Sequence, residues 1–459
     1  MRNSIISILS LLLPVYLAMP GCSFQRENPD ITAEELFQHI SYLASDSLKG
    51  RLPGTEEDRL AALYIADEFS KAGLQLMADG GLQAFEVITD LETGDLNYLR
   101  IGEKDAGLSE DFAPFHFTAN EESSAGLVFA VYGFEIDQNK VQWNDYEGLD
   151  VSGKWVLVLR GSAEIDSTVS VFHAYSNDRD KAMLASDKGA AGILFVSGPH
   201  FDPEDKLIDL ERREGKVGIP AIHISRKTAD MIFAGTGTST EDLENKLNTS
   251  REPSSFGMDV TLSAGASVQP TTTTTYNVIG YLEGSDPETA DQHIVIGAHY
   301  DHLGMGGLRS SSRKPDTTAA HNGADDNASG VAALVEIAEA LSLGSVPPSN
   351  SYLFIAFGAE EMGLLGSKHY VNNPLLPLEN IRVMINLDMV GRLRNQQLQV
   401  GGVGTATESE EIVTQLIQHD SLMLSTTREG FGASDHSSFY GKDVPVLFLT
   451  TGAHTDYHT

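Results

Sequence analysis

Histidines and carboxylates recur in this chain at spacings that could hold metal. His299 and Asp301 stand in AHYDHLG, Glu360 and Glu361 in FGAEEMG, and Asp388 in INLDMVG. Asp326 lies in NGADDNASG, just ahead of a helical stretch, and His458 in HTDYHT. Taken singly these segments say little. An HxD arises by chance, a Glu-Glu pair is ordinarily a solvated face, and a lone Asp can cap a turn. Their recurrence is what matters. Imidazole nitrogen and carboxylate oxygen are the donors that zinc accepts when no thiolate is offered. Two ions in one site need several such donors, with one carboxylate bridging them.

The elements around these residues explain why they should meet. HIVIGA precedes His299, SYLFIAF precedes Glu360, RVMINL precedes Asp388, and VPVLFL precedes Thr450. Each is a short apolar run suited to a buried strand. Between them lie helices, such as 331–343 with Val331, Leu334, Val335, Ala338 and Leu341 on one stripe. Alternating strands and helices predict an α/β fold, a mixed, mostly parallel sheet flanked by helices. Loops at the carboxyl ends of strands in such a sheet form its binding crevice, and the candidate donors sit there.

One competing motif is rejected. Asp325, Asn327, Ser329, Gly330 and Glu336 have the spacing of a calcium-binding EF-hand loop. That loop needs a helix on each side. HNGA precedes it, and the following helical stripe begins inside it at Val331.

Upstream the rhythm differs. Residues 31–74 read as two helices joined by the turn-rich LASDSLKGRLPGT. From Leu127 to about Val260 the chain carries WVLVL, a helix over 179–188, GAAGILFV and AIHI, with no concentration of catalytic residue types. This is a separate, mainly-β module, and the threonine run 271–275 is read as a linker at its far edge. The division is residues 1–22 as a leader, 30–125 and 271–459 as the two parts of one domain, and 126–265 as the insertion.

The 459 residues exceed one ordinary domain, and 41% apolar residues suffice for two cores. With 65 Asp+Glu against 31 Lys+Arg the formal charge is -34, which disfavours nucleic acid and anionic membranes as partners. A thin positive start at Arg2 and a short apolar run over 5–17 predict an export signal. The single cysteine, Cys22, follows in LAMPGC, which resembles a bacterial lipoprotein signal; the expectation is a lipidated protein of the cell envelope, with plain secretion as the alternative. One cysteine excludes an internal disulfide.

In order, AHYDHLG, NGADDNASG, FGAEEMG, NLDMVG, ASDHSSF and DYHT resemble the co-catalytic zinc peptidase family of bacterial leucyl aminopeptidases, glutamate carboxypeptidase and transferrin receptor. LASDSLKGR is similar to the N-terminal segment of bacterial members. YEGLDVSGKWVLVLRG and ASDKGAAGILFV resemble the protease-associated domain inserted in many of them. The resemblance implies two zinc ions per chain, one on His299 and Asp388, the other on Glu361 and His458, with Asp326 bridging. It implies Glu360 as general base, acting on water whose pKa the metal lowers to ~7. Asp301 would orient His299 by a hydrogen bond, and Asp435 and His436 would line the substrate cleft. His302, His321, His369 and His454 match no metal role and are read as structural or surface residues. The implied activity is removal of terminal residues from peptides, an aminopeptidase first. A carboxypeptidase, a single-zinc glutaminyl cyclase and a receptor-like binding protein are the alternatives. Retention of all five ligand positions argues against the last two. Relatives continue past the residue matching His458, so a further C-terminal helix is expected beyond Thr459. Preferred residue and oligomeric state are not readable.

Overall fold

The computed structural model describes residues 30–138, 141–163, 170–210, 215–307, 310–417 and 422–459. Cys22 and its leader lie outside them. The chain builds two sheets of comparable size, each with parallel strands at its centre, and a two-stranded ribbon.

The main sheet has nine strands. At its centre run four parallel strands in the order Ser351–Phe357, His293–His299, Ile381–Leu387 and Val446–Thr450. Ser351–Phe357 and His293–His299 are buried almost throughout, as their apolar sequences require of strands covered on both faces, while Ile381–Leu387 and Val446–Thr450 are only partly buried. Helix Gly330–Leu343 buries Val331, Leu334, Val335 and Ala338, the stripe expected from sequence, in the same core as Ile296, Phe354 and Leu387. The two N-terminal helices are Ala33–Leu43 and Glu56–Lys71, whose caps Thr32 and Thr55 accept from the amides of Glu35 and Asp58. Glu336, offered by the EF-hand spacing, instead meets His39 at 3.1 Å across two packed helices.

Two boundaries differ from expectation. The inserted sheet already takes in Tyr98–Ile101, Lys104–Ala106 and Phe112–Pro114, strands that lie upstream of residue 126. These strands are too short to announce their partners; only pairing with Phe256–Ala266 and Ala221–Ile224 assigns them. The threonine run 271–275 is no linker. It lies within strand Val268–Leu282, paired along its length with Leu82–Thr93. β-Branched threonine suits a pleated strand, and composition alone hid this.

The centre of the inserted sheet is parallel, Glu121–Phe129, Trp155–Leu159, Gly192–Val196 and Ala221–Ile224 in order. WVLVL, GILFV and AIHI are buried at every position.

Candidate metal centre

The carboxyl ends of the four central strands converge on one buried cluster. His299 closes its strand in register with Phe357. Beyond Phe357, Ala359 takes a left-handed conformation (φ 55°) and turns the chain so that Glu360 and Glu361 face inward. The carboxylate of Asp301 fixes that turn: Oδ1 accepts from the Glu360 amide at 2.9 Å and Oδ2 from the Glu361 amide at 3.2 Å. Asp388 follows its strand directly, and its Oδ2 accepts from the Ser434 hydroxyl at 2.7 Å. Asp326 precedes helix Gly330–Leu343, and the Asp326–Asn327 peptide bond is cis.

The two oxygens of Asp326 face opposite ways. Oδ1 is 3.2 Å from His299 Nε2, which lies 3.6 Å from Asp388 Oδ1. Oδ2 is 3.2 Å from His458 Nε2, which lies 3.3 Å from Glu361 Oε1. His458 reaches the cluster because the 311–313 loop holds it: the Arg313 amide donates to His458 O at 2.8 Å, and Nδ1 lies 3.2 Å from Ser311 O. Glu360 presents a carboxylate oxygen within 4.8 Å of donor atoms of His299 and Asp388. The residues singled out in five separate segments thus share one site.

The donor set fits metal. His302 Nδ1, Glu361 Oε1 and His458 Nε2 are buried and crowd around Asp326 Oδ2, His302 Nδ1 as near as 2.8 Å to Glu361 Oε1, yet among the described residues none of them has a partner in hydrogen-bond geometry. Buried polar atoms are ordinarily satisfied, so orphans aimed at one point suit a cation between them. Among the described residues there is no cysteine, and imidazole with carboxylate is a zinc donor set.

The electrostatics are those of opposed charges brought together. For His299, burial disfavours the cation, but Glu360, Asp301, Asp326 and Asp388 outweigh it and raise the pKa well above the ordinary imidazole value. For His458, burial is likewise outweighed, here by Asp326 and Glu361, and the pKa rises to about 9. Burial works against the Glu361 carboxylate, but His302 and His458 bring it down to about 2. Glu360 goes the other way. Burial raises it well above the carboxylate range, with Asp435, Asp388 and Glu361 adding to the rise and His299 opposing.

Several assignments change. His302, read as structural or surface, is 3% exposed and places Nδ1 2.8 Å from Glu361 Oε1 and 3.9 Å from Asp326 Oδ2. The signal was present: it stands three residues after His299, in the same strand-end loop. His454 likewise is no free surface residue; its Nε2 lies 3.2 Å from Asp325 Oδ2. His321 and His369 stay apart, one bonded to Ser312 and the Ala319 carbonyl, the other stacked on Phe85. The imidazole of His299 is oriented by the backbone of Asp301: Nδ1 is 3.2 Å from Asp301 O and 3.6 Å from its carboxylate, which the two glutamate amides already engage. Finally, Asp435 and His436 do not line a cleft. They are 0% and 2% exposed, and the His436 ring stacks on Phe448. A side chain without exposed surface cannot meet a substrate in solvent. Asp435 instead lies beneath the cluster, where burial pushes its carboxyl up to about 7.

A cavity of about 890 Å³ opens beside His302 and Glu361. Leu52, Ile88, Leu303, Met305, Met362 and Leu365 give it apolar walls, and Lys49, Glu57, Asp90 and Lys368 supply charge.

Residues 277–459 match Peptidase family M28, and residues 122–232 match the PA domain. The chain is 28% identical to aminopeptidase YwaD of Bacillus subtilis over 455 residues, covering 96% of this chain and 81% of that one. It is 27% identical to an aminopeptidase of Pseudomonas aeruginosa over 347 residues, 68% of this chain but only 56% of that one. The fold resembles that of the aminopeptidase from Aneurinibacillus sp. strain AM-1, with a TM-score of 0.50 at 22% identity over 91% of this chain and 85% of the other.

Proposed function

We propose that this chain, whose residues 277–459 match Peptidase family M28 and whose residues 122–232 match the PA domain, is a zinc-dependent aminopeptidase with two metal ions in one site. The observation that carries the reading is Asp326, whose two oxygens each face a separate set of donors. His299 and Asp388 would hold one ion, and Glu361 and His458 the other. His302 stands ready to orient Glu361 or to join the second set. The names of the Bacillus subtilis and Pseudomonas aeruginosa relatives, both aminopeptidases, favour an amino-terminal substrate.

When bound, the metal pair would lower the pKa of water to ~7 and stabilise charge developing on the substrate carbonyl. The chain's own residues do the rest. Glu360 Oε takes the proton from water and later gives one to the leaving amine. Its upward-shifted pKa suits a group that must hold that proton between the two steps. Asp301 keeps Glu360 in place by accepting from its amide. Leu52, Met305 and Met362 would give an apolar surface to the substrate in the cavity beside Glu361. We further propose export and lipid attachment at Cys22, which mass spectrometry of the protein from a bacterial host would test; an unmodified Cys22 on the mature chain refutes it.

The deciding experiment assays free-amino-terminal and free-carboxyl-terminal reporter peptides with the protein stripped of metal and then reloaded with zinc. Zinc-dependent cleavage of the first set is the expected result. Cleavage of the second set alone makes the protein a carboxypeptidase, and zinc-independent turnover overturns the mechanism.

A further inference from the structure

We infer that Arg51 is a positioning residue of the donor cluster, the clamp by which the N-terminal segment fixes the two loops that present His302 and Asp326. The inference rests on the metal-binding reading above and extends it to a residue outside the stretch 277–459 that matches the peptidase family. Arg51 lies in the turn between the two N-terminal helices and is fully buried. Among the described residues, all its side-chain hydrogen bonds end on backbone carbonyls. Nε donates to Tyr300 O at 2.6 Å, Nη1 to Asn322 O at 2.8 Å and to Leu43 O, and Nη2 to Gly323 O at 3.0 Å. Tyr300 sits between His299 and Asp301. Asn322 and Gly323 lead straight into Asp326. One guanidinium therefore joins three chain segments, two of which carry donors.

The neighbouring backbone repeats the linkage. The His302 amide donates to Arg51 O at 3.2 Å, and the Gly304 amide to Gly50 O at 3.0 Å. Gly50 has no room for a side chain, since a Cβ would run into Gly304 O and His321 O. At Gly323 a Cβ would stand 2.7 Å from both Arg51 Nη2 and His302 Cγ. Arg51, Gly323 and His302 are thus packed against one another. Asn322 adds a second tie, its Nδ2 donating to Ala44 O and to Asp46 Oδ1, both at 2.8 Å.

A buried guanidinium needs compensating charge. Burial draws its pKa down to about 10, while Asp301, Asp326 and Glu361, followed by Asp58, favour the cation. Three of those carboxylates belong to the cluster itself. The planar fork sets the directions of its acceptors, which a lysine ammonium does not. The geometry therefore specifies arginine, and it does so beneath the metal donors.

The test is calorimetric titration of zinc into chelator-stripped wild type, Arg51→Lys and Arg51→Met, with melting of the metal-free proteins alongside. Both variants should bind zinc roughly 10–100-fold more weakly, the loss usual when a partner of a metal ligand is removed. Lysine should not restore affinity, because charge without the fork leaves the carbonyls unaligned. Unchanged affinity with a lowered melting temperature would make Arg51 a scaffold residue and overturn the inference. So would tighter binding in Arg51→Met, which would reduce its role to charge repulsion. If both variants fail to fold, Asn322→Ala decides: a smaller loss of zinc affinity supports the clamp, and wild-type affinity overturns it. A wild-type chain that takes up no zinc fails at the earlier step, the metal centre itself.

Discussion

His223 and His458 are both buried imidazoles, one in the inserted sheet and one at the strand ends of the main sheet, and their surroundings push them in opposite directions. At His223, burial lowers the pKa to about 3, and Arg160 adds to the fall. Its ring is satisfied as a neutral group, accepting from the Ile208 amide at Nδ1 and bonded to the Ser197 hydroxyl at Nε2. His458 Nε2 faces two carboxylates at 3.2 and 3.3 Å, yet among the described residues it has no partner in hydrogen-bond geometry. The same contrast holds for other charges. Asp145 of the insertion is buried, yet it accepts from the amides of Tyr132 and Phe134 and from Trp143 Nε1. Lys181 is buried, yet it donates to Leu159 O and Gly161 O. Burial of an ionisable group is therefore no mark of a site here. Several orphaned donors aimed at one point are.

The strongest way to break this comparison is Glu360→Gln. Turnover should fall by roughly 10²–10⁴-fold, the range for loss of a general base, while zinc content stays at the wild-type level. Steady-state kinetics and elemental analysis check the two halves. Lost zinc would make Glu360 a ligand instead, and near-normal turnover would remove it from the chemistry.

His302→Ala and His458→Ala sharpen the comparison within the site. His458 Nε2 is within 3.3 Å of both Asp326 Oδ2 and Glu361 Oε1, whereas His302 Nδ1 is 2.8 Å from Glu361 Oε1 but 3.9 Å from Asp326 Oδ2. The His458 variant should lose more zinc affinity. The His302 variant should lose roughly 10–100-fold, as for a group that orients a ligand. Calorimetric titration ranks them, and a reversed order would exchange their roles.

Much of this site was legible because ligand chemistry restricts residue types and strand ends restrict place. His299, Glu361 and Asp388 each follow a run whose periodicity reveals its element, and Asp326 precedes one. His302 was missed because its neighbour His299 already filled the expected role, and only packing shows two imidazoles meeting in one loop. Asp435 and His436 were misplaced for a related reason: sequence puts them near the site but not above or below it. The outer strands of the inserted sheet, Tyr98–Ile101 and Phe112–Pro114, were hidden because a three- or four-residue strand has no period to read. Arg51 is the extreme case. Its partners are all backbone, so no residue type elsewhere betrays it.

In the inserted domain a comparable substitution should affect stability alone. Asp145→Ala leaves the Tyr132 and Phe134 amides and the Trp143 indole without their acceptor. An unsatisfied buried donor costs about 1–3 kcal/mol. The variant should melt at a lower temperature, with turnover per folded molecule unchanged. A matching fall in turnover would tie Asp145 to catalysis and erase the contrast.

The smallest effect, and the most direct reading of the two imidazoles, is the pH dependence of the metal-free protein. His458 has a folded pKa of about 9 against 6.5 unfolded. The folded state binds the extra proton, so its contribution is complete below pH 6.5 and is lost as pH rises through 9. His223 has a folded pKa of about 3. There the unfolded state binds the extra proton, so stability is lost as pH falls from 6.5 toward 3. The two slopes have opposite signs and meet near 6.5. Melting with chelator present should therefore show His458→Gln flattening only the alkaline limb and His223→Gln only the acid limb. Zinc should remove the first slope, because a ligating imidazole must be neutral and metal binding then competes with the proton. Stabilisation by added zinc should accordingly grow between pH 6.5 and 9 in wild type and shrink in the His458 variant. If His458→Gln leaves the alkaline limb unchanged, its imidazole is not protonated between Asp326 and Glu361, and the opposition of the two sites fails at that residue.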